Sequence, residues 1–433
     1  WLGIPVHTFH FNEGHAVFAG LEMIAERMEG GQSFPAAWEE TRRHIVFTTH
    51  TPVQAGNEEH AVKDLRRMGA CLQLSGAEMR EIGGDPFNMT VAGLRLSRMA
   101  NAVSALHGET ARAMWASVSG AAAITHVTNG VHAGTWQSEK VRAAAAAGGG
   151  GQDSTGGAAG GEHGHPADAA LWHAHLEHKA AMLDEVERRT GDSFDRDALT
   201  IGFARRAATY KRGDLILRDV ARLETLLANR RVQILFAGKS HPDDAAGKSV
   251  IAKLVQAQRS HPCKIAFLEN YDMALGRLLT RGCDVWLNNP LRPLEASGTS
   301  GMKAAMNGVL NLSILDGWWP EGCEHGENGW AIGGTDAGND DKDLASLYEA
   351  LEREVLPAWA DRARWIRMMR ASITMASERF SAARMVREYF EKVYEAPRAA
   401  PEHVTLPGIL GTVEAEGPSP APGPGSERAG NGA

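Results

Sequence analysis

The chain has 433 residues, 43% hydrophobic and 23% charged, with 45 Lys plus Arg against 53 Asp plus Glu and a formal net charge of −8. That length fits two or three domains around a substantial core, and the acidic balance argues against sequence-blind binding to nucleic acid or to an anionic membrane surface. No uncharged apolar run reaches the roughly 18 residues of a membrane span, and Cys71, Cys263, Cys283 and Cys323 lack the paired short spacing of a zinc ribbon, so reduced thiols in a cytoplasm are expected.

The opening WLGIPVHTFHFNEGH has neither the basic start nor the long apolar stretch of a secretory signal and reads as the middle of a domain, so the chain is expected to be a fragment. Strands are predicted within Val6–Asn12, Ile45–His50 and Ile124–Gly130, and helices over Ala16–Gly30 and Val91–Trp115, which together make a partial α/β domain over 1–142. Ala143 to His165 is almost wholly Ala and Gly, which predicts a flexible linker or insertion across 143–170.

From Leu199 to Gly317 short apolar runs (LTIGFA, VQILFAG, KIAFLEN, VWLNN, VLNLSIL) alternate with amphipathic ones (GDLILRDVARLETLLAN, AGKSVIAKLVQAQ, MALGRLLTRG). Strands without polar alternation suit a parallel sheet covered on both faces, so 171–396 reads as a Rossmann-like, doubly wound domain. Helical stretches over Lys342–Trp359, Asp361–Ser377 and Ala382–Glu395 are expected to pack back on that sheet. Pro397–Ala433, rich in Pro, Gly, Ala and Glu, is too poor in apolar residues to fold and is expected to be disordered. Two facing α/β domains would form a cleft at the carboxyl ends of their strands, where such sheets bind ligands.

Polar constellations cluster at those predicted strand ends. In LEASGTSGMKAAMNG, Leu294–Gly308, Gly298, Thr299, Ser300 and Gly301 offer N–H groups and hydroxyls to an anion at a helix start. Met302, Ala304, Ala305 and Met306 surround Lys303 with apolar neighbours, which suits a partly buried amine able to condense with an aldehyde; a glycine-rich turn with a solvated lysine remains the plainer alternative. In ARRAATYKRGD, Arg205, Arg206, Lys211 and Arg212 fall in the loop after the first strand, where this fold binds phosphates, or else form a solvated charged loop. The loop is not G-x-G-x-x-G, so no dinucleotide is indicated. FNEGH, TTHTP and TNGVH each follow a strand, where His50 and Asn129 suit sugar hydroxyls or simply form turns. Trp318 and Trp319 are core residues or a sugar-stacking wall.

Taken in order, FNEGH, TTHTP, TNGVH, RRAATYKR, FAGKSHP, FLENYDMAL, LEASGTSGMKAAMNG and LDGWWPEG resemble the α-glucan phosphorylases of the short bacterial and archaeal type, from about Val6 to Tyr394. The resemblance implies two Rossmann-like domains in a GT-B arrangement, the first one incomplete. It implies pyridoxal 5'-phosphate carried by Lys303, with Arg205, Tyr271, Gly298, Thr299 and Ser300 around the cofactor. Arg206, Lys211, His50 and Glu295 then join Lys303 as catalytic residues, and His50, Asn129, Glu295, Ser297 and Gly298 hold the glucosyl unit. The implied reaction is retaining phosphorolysis of terminal α-1,4-linked glucosyl units to α-glucose 1-phosphate, with an α-1,4-glucan and inorganic phosphate as partners, no metal, and room for a homo-oligomer.

Three residues depart from the long glycogen phosphorylases: Asp272 stands for an arginine, Arg205 for a lysine and Glu13 for an aspartate. The resemblance also places a long portion with a glycine-rich loop before FNEGH, so a chain that binds cofactor or glucan without turnover is the alternative. A nucleotide-sugar glucan synthase has no use for EASGTSGMK, and the sugar-site motifs set the chain apart from aminotransferases and decarboxylases.

Overall fold

Two parallel sheets carry the computed structural model, which describes residues 4–53, 56–147, 166–228 and 232–395. Both lie within one compact unit, Thr8–Pro397. The first is built from β1 (Phe9–Asn12), β2 (Ile45–Thr48), β5 (Met99–Ala102) and β6 (Ile124–His126), side by side in that order. A short antiparallel pair, β3 (Glu59–His60) with β4 (Phe87–Asn88), interrupts the sequence between β2 and β5. Helix Val17–Glu29 turns Val17, Leu21, Ile24 and Ala25 to the core, the spacing of one helical face, and β2 is buried on both sides.

The helix predicted over Val91–Trp115 is in fact three elements: helix Met89–Arg95, strand β5 and helix Ala105–Met114. Local chemistry accounts for both breaks. Ser97 Oγ donates back to the Gly93 carbonyl (2.7 Å) while the Arg98 N–H joins the ladder at Ile45 O (3.0 Å). Ser104 then caps the second helix by accepting the His107 N–H (3.1 Å).

The second sheet contains β7 (Leu199–Ala204), β8 (Val232–Ala237), β9 (Ile265–Leu268), β10 (Val285–Asn288), β11 (Leu310–Ile314) and β12 (Gly329–Ile332). Their order, β12-β11-β10-β7-β8-β9, is that of a Rossmann-like doubly wound sheet, with its switch point between β7 and β10. The continuous burial of β7 and β8 matches their uninterrupted apolar sequence. Strand β12 was not expected: Gly329-Trp-Ala-Ile is short, and Gly329 has a φ of 155° and lies so close to Asn311 O that a Cβ would stand 2.6 Å away. Helix Arg362–Arg379 covers this sheet with Trp365, Met368, Met369 and Ile373.

Residues 143–147, read as linker, complete helix Glu139–Ala147, and 166–170 open the 25-residue helix Pro166–Thr190. Alanine is the strongest helix former, and Pro166 occupies the first helical position, where its missing N–H costs nothing. The rest of the predicted linker, 148–165, and the predicted tail, 397–433, lie outside the described residues.

The last helix also differs from expectation. Ala382–Tyr389, continued by a π-helical turn over Phe390–Tyr394, covers the first sheet, where Tyr389 and Val393 pack with Val46 and Val127. The chain thus crosses from the first sheet to the second after β6 and returns at Phe380–Ala382. The two crossings are bonded to each other, Val131 N–H to Phe380 O (2.9 Å) and Ala382 N–H to Val131 O (2.9 Å). Gly130 permits this contact, since a Cβ there would lie 2.3 Å from Ser381 O. Among the described residues no helix is long and apolar enough to cross a membrane, and no group of His, Cys, Asp and Glu is placed to hold a metal ion.

Candidate active site

Strands β7 and β10 lie next to each other at the switch point, so the loops that leave their carboxyl ends face one crevice. The loop after β7 carries Arg205 and Lys211, and the loop after β10 carries Glu295. Arg205 Nη2 stands 3.0 Å from Glu295 Oε2, and Lys211 Nζ donates to Glu295 Oε1 (3.0 Å) and Oε2 (2.7 Å). Each of these side chains is a tenth exposed or less. Burial disfavours the Glu295 carboxylate, but the charges of Arg205 and Lys211 prevail and hold it below the usual carboxylate range. Lys211 is pushed down to about 8, first by burial and then by Arg205.

One carboxylate therefore answers two cations, which leaves a surplus positive charge in a place of low dielectric. Arg205 Nη1 is buried with no partner among the described residues, and so is Ser297 Oγ. Arg206 sits exposed at the rim. Arg212, grouped with these residues in the sequence, takes no part. Its left-handed backbone (φ 49°) turns the side chain into the fold, where it donates to Asn289 O (2.9 Å), Pro290 O (2.7 Å) and Asp340 Oδ1 (2.9 Å).

Lys303 lies on the short helix Thr299–Ala305, half-buried. Its Nζ is 3.7 Å from the centroid of the Trp136 ring, it has no carboxylate partner among the described residues, and burial lowers its pKa. Trp136 is itself fixed through its carbonyl, which accepts from Arg281 Nε (3.1 Å) and Asn307 Nδ2 (3.0 Å). Gly298 caps the Lys303 helix in the left-handed region (φ 84°). Thr299 and Ser300 are partly exposed beside it, and Ser300 Oγ accepts the Trp286 indole N–H (3.2 Å). Burial raises the pKa of Tyr271 against the opposing charge of Arg205.

On the first sheet, His50 donates its backbone N–H to Glu13 Oε2 (2.6 Å), and its ring Nε2 bonds Asn12 Oδ1. Burial lowers the His50 pKa, favouring a neutral ring. Asn129 is held through its backbone, N–H to Val103 O (3.0 Å) and carbonyl to Arg384 Nη2 (3.0 Å). The loop ends of this sheet are tied to the Glu295 loop and its surroundings: Ser104 Oγ donates to Ala296 O (2.7 Å), while Glu321 accepts from Ala105 N–H (2.9 Å) and Thr128 Oγ1 (2.7 Å).

Arg205, Lys211 and Glu295 thus meet directly, with Gly298, Thr299, Ser300 and Lys303 following on the same loop and helix. His50 and Asn129 stand at the ends of β2 and β6 without direct contact to Glu295 among the described residues. Two residues escaped sequence reasoning. Trp136 is separated from Lys303 by most of the second sheet, and Asp316, buried behind Glu295, stands in LDGWWPEG without a role assigned to it. Trp318 and Trp319 are fully buried core residues rather than a sugar-stacking wall.

Residues 165–328 match the family model described as carbohydrate phosphorylase. The chain is 42% identical over 428 residues to the maltodextrin phosphorylase of Thermococcus litoralis, an alignment covering 91% of this chain and 51% of that protein. It is 42% identical over 450 residues to the glycogen phosphorylase of Mycobacterium bovis, covering 91% and 52%. It is 34% identical over 391 residues to an uncharacterized protein of Methanocaldococcus jannaschii, covering 90% and 70%. The chain spans about half the length of the two named phosphorylases. The matched span holds β7 to β11 with Arg205, Lys211, Glu295 and Lys303, and together with relatives 34–42% identical over nine-tenths of the chain, one of them covered to 70% of its own length, it establishes that the chain belongs to the carbohydrate phosphorylase family.

Proposed function

We propose that this chain acts as an α-glucan phosphorylase in the cytoplasm, with an α-1,4-glucan and inorganic phosphate as its substrates and pyridoxal 5'-phosphate held on Lys303. The observation that carries the reading is the excess of cations around Glu295, with Arg205 Nη1 buried and unpartnered. A buried guanidinium N–H without an acceptor is costly, and a phosphate oxygen satisfies it.

The residues fit the cofactor. Lys303 is free of carboxylates among the described residues and its pKa is lowered, so more of it is present as the uncharged amine that condenses with an aldehyde. The Trp136 ring lies 3.7 Å from that amine and covers one side of it. Held on Lys303 beside Gly298, Thr299 and Ser300, the cofactor would supply a phosphate able to exchange a proton with the substrate phosphate.

Arg205 and Lys211 neutralise the phosphate charge in a dry crevice, with Arg206 at its mouth. Glu295, ionised and oriented by the same two cations, accepts hydrogen bonds from sugar hydroxyls as positive charge develops at the anomeric carbon. Ser297 and Gly298 bracket it, and neutral His50 and Asn129 serve hydroxyls from the first sheet. A phosphate oxygen forms the new bond to C1 while the bond from C1 to the glycosidic oxygen breaks, and the phosphate proton passes to the departing oxygen.

The test is release of glucose 1-phosphate from maltodextrin and phosphate by the purified chain with added pyridoxal phosphate, beside a Lys303→Ala control. Turnover in the parent and none in the control supports the reading. Borohydride trapping that labels a residue other than Lys303 overturns the cofactor assignment, and a label on Lys303 without turnover means binding without catalysis.

A further inference from the structure

Beyond β11 the chain turns through Leu315, Asp316 and Gly317 and comes hard against the loop that bears Glu295. Gly317 has a φ of 59°, and a Cβ there would stand 2.3 Å from Ser297 O, so the approach requires glycine. Two hydrogen bonds cross between the turns: the Glu295 N–H donates to Asp316 Oδ2 (2.9 Å) and the Trp318 N–H to Ser297 O (2.9 Å). The other Asp316 oxygen, Oδ1, accepts the Gly317 N–H (2.8 Å).

Asp316 is completely buried and has no ion-pair partner among the described residues. A carboxyl group in such a place is costly unless its two oxygens are used, and here both are aimed at backbone N–H groups. Arg205 and Lys211 fix the side chain of Glu295, but neither touches its backbone. That task falls to Asp316.

We propose that Asp316 is a positioning residue for Glu295, its carboxylate locking the Glu295 backbone so that the side chain meets the glucosyl unit in one orientation; the inference rests on the phosphorylase reading above. Burial and the neighbouring Glu295 charge push the Asp316 pKa up to about 7, against the pull of the two N–H groups and of Arg292; Arg205 and Lys211 lie beyond Glu295. Only the ionised form offers both oxygens purely as acceptors. The lock therefore forms as pH rises through about 7 and loosens as it falls. Stability runs the other way: the folded pKa lies above the ordinary 3.8, so the ionised group disfavours the fold, and stability declines as pH rises from that value to about 7.

The test is hydrogen exchange of the full chain with pyridoxal phosphate, followed by mass spectrometry at about pH 6 and about pH 8 and corrected for intrinsic rates. In the parent, the Glu295 amide should exchange about fivefold faster at the lower pH, the factor expected for one hydrogen bond. In Asp316→Asn it should exchange fast at both, while the thermal midpoint at the higher pH stays equal to the parent's or rises, because a buried charge is gone. The glucan KM of that variant should rise more than its kcat falls, and the acid limb of the parent's pH profile should vanish. Equal protection of Glu295 in parent and variant, or none that depends on pH in the parent, overturns the proposal; if the variant fails to fold, the parent's pH series decides alone. Absence of turnover in the parent overturns the phosphorylase reading and with it the role in that reaction, whereas unchanged exchange with turnover intact overturns Asp316 alone.

Discussion

Two buried carboxylates sit at opposite ends of the same strand pair, β7 and β10, and they are treated differently. Asp284, at the amino-terminal end, accepts from Lys179 Nζ (2.6 Å) and Thr200 N–H (2.7 Å) on one oxygen and pairs with His175 Nε2 (2.7 Å) on the other. Lys179 also donates to Ala198 O (2.6 Å) and packs its charge 4.9 Å from the Trp359 ring centroid. That cluster is closed in charge, with one lysine answering one aspartate, although His175 Nδ1 is buried without a partner among the described residues. Glu295, at the carboxyl end, faces two cations and leaves a guanidinium N–H unanswered. The closed cluster fastens helix Pro166–Thr190 to the sheet, and the open one leaves positive charge uncompensated, which the proposed function assigns to a phosphate. What separates structural from functional burial here is the remainder after the charges are paired, not depth.

The largest effect is expected at Lys303. Lys303→Ala should abolish covalent cofactor and turnover together, read from borohydride-trapped label and glucose 1-phosphate release, with no loss of fold because Lys303 pairs with no carboxylate among the described residues. Next come the two carboxylates. Asp284→Asn should destabilise the chain by about 3–5 kcal/mol in chemical denaturation, as breaking a buried pair does, and added phosphate should recover none of it. Glu295→Gln leaves Arg205 and Lys211 uncompensated and should also destabilise, but here phosphate should raise the thermal midpoint by standing in for the lost carboxylate. If phosphate rescues both variants or neither, the contrast between the two ends is broken.

A smaller effect follows from Lys211. Its pKa of about 8 lies below the ordinary 10.5, so its positive charge disappears as pH climbs through about 8 while Arg205 stays charged. Stabilisation of the chain by phosphate should weaken above that pH. Without phosphate the sign reverses: a depressed base penalises the fold less as pH rises from about 8 toward 10.5, so intrinsic stability should gain in that window. Thermal melts with and without phosphate across that range would show the two trends diverge. The smallest effect is at Trp136. Trp136→Leu removes a cation–π contact of about 1 kcal/mol and should move the Lys303 pKa further down, detected as faster labelling of Lys303 by an amine reagent at neutral pH.

The second sheet was legible because its strands are buried on both faces: LTIGFA, VQILFAG and VWLNN carry no polar alternation and can hardly be read otherwise. The first sheet was less so. Strand β5 is Met-Ala-Asn-Ala, with no β-branched or aromatic residue, and it lies between two helices whose apolar spacing runs on through it. The site was legible in pieces. Arg205, Lys211 and Glu295 were each marked by a strand end or by the family resemblance, yet only the adjacency of β7 and β10 makes them one cluster. The separation of Arg212 from that cluster hangs on a single left-handed residue, which basic composition conceals. Trp136 and Asp316 act on Lys303 and Glu295 through space and through a backbone N–H, relations that leave no periodic trace in sequence.

The bonded pair of crossings at Val131 and Ser381 bears on how the protein loses its structure. Because the helix that seals the first sheet is reached only after the second sheet is complete, the second sheet and its helices form one stretch of sequence whereas the first sheet and its cover do not. A cut between them at the level of the gene would strip Tyr389 and Val393 from the first and expose Val46 and Val127 to water. The cover of the first sheet is thereby held by chain that has already passed through the second, and its release would open the first sheet at Val46 and Val127.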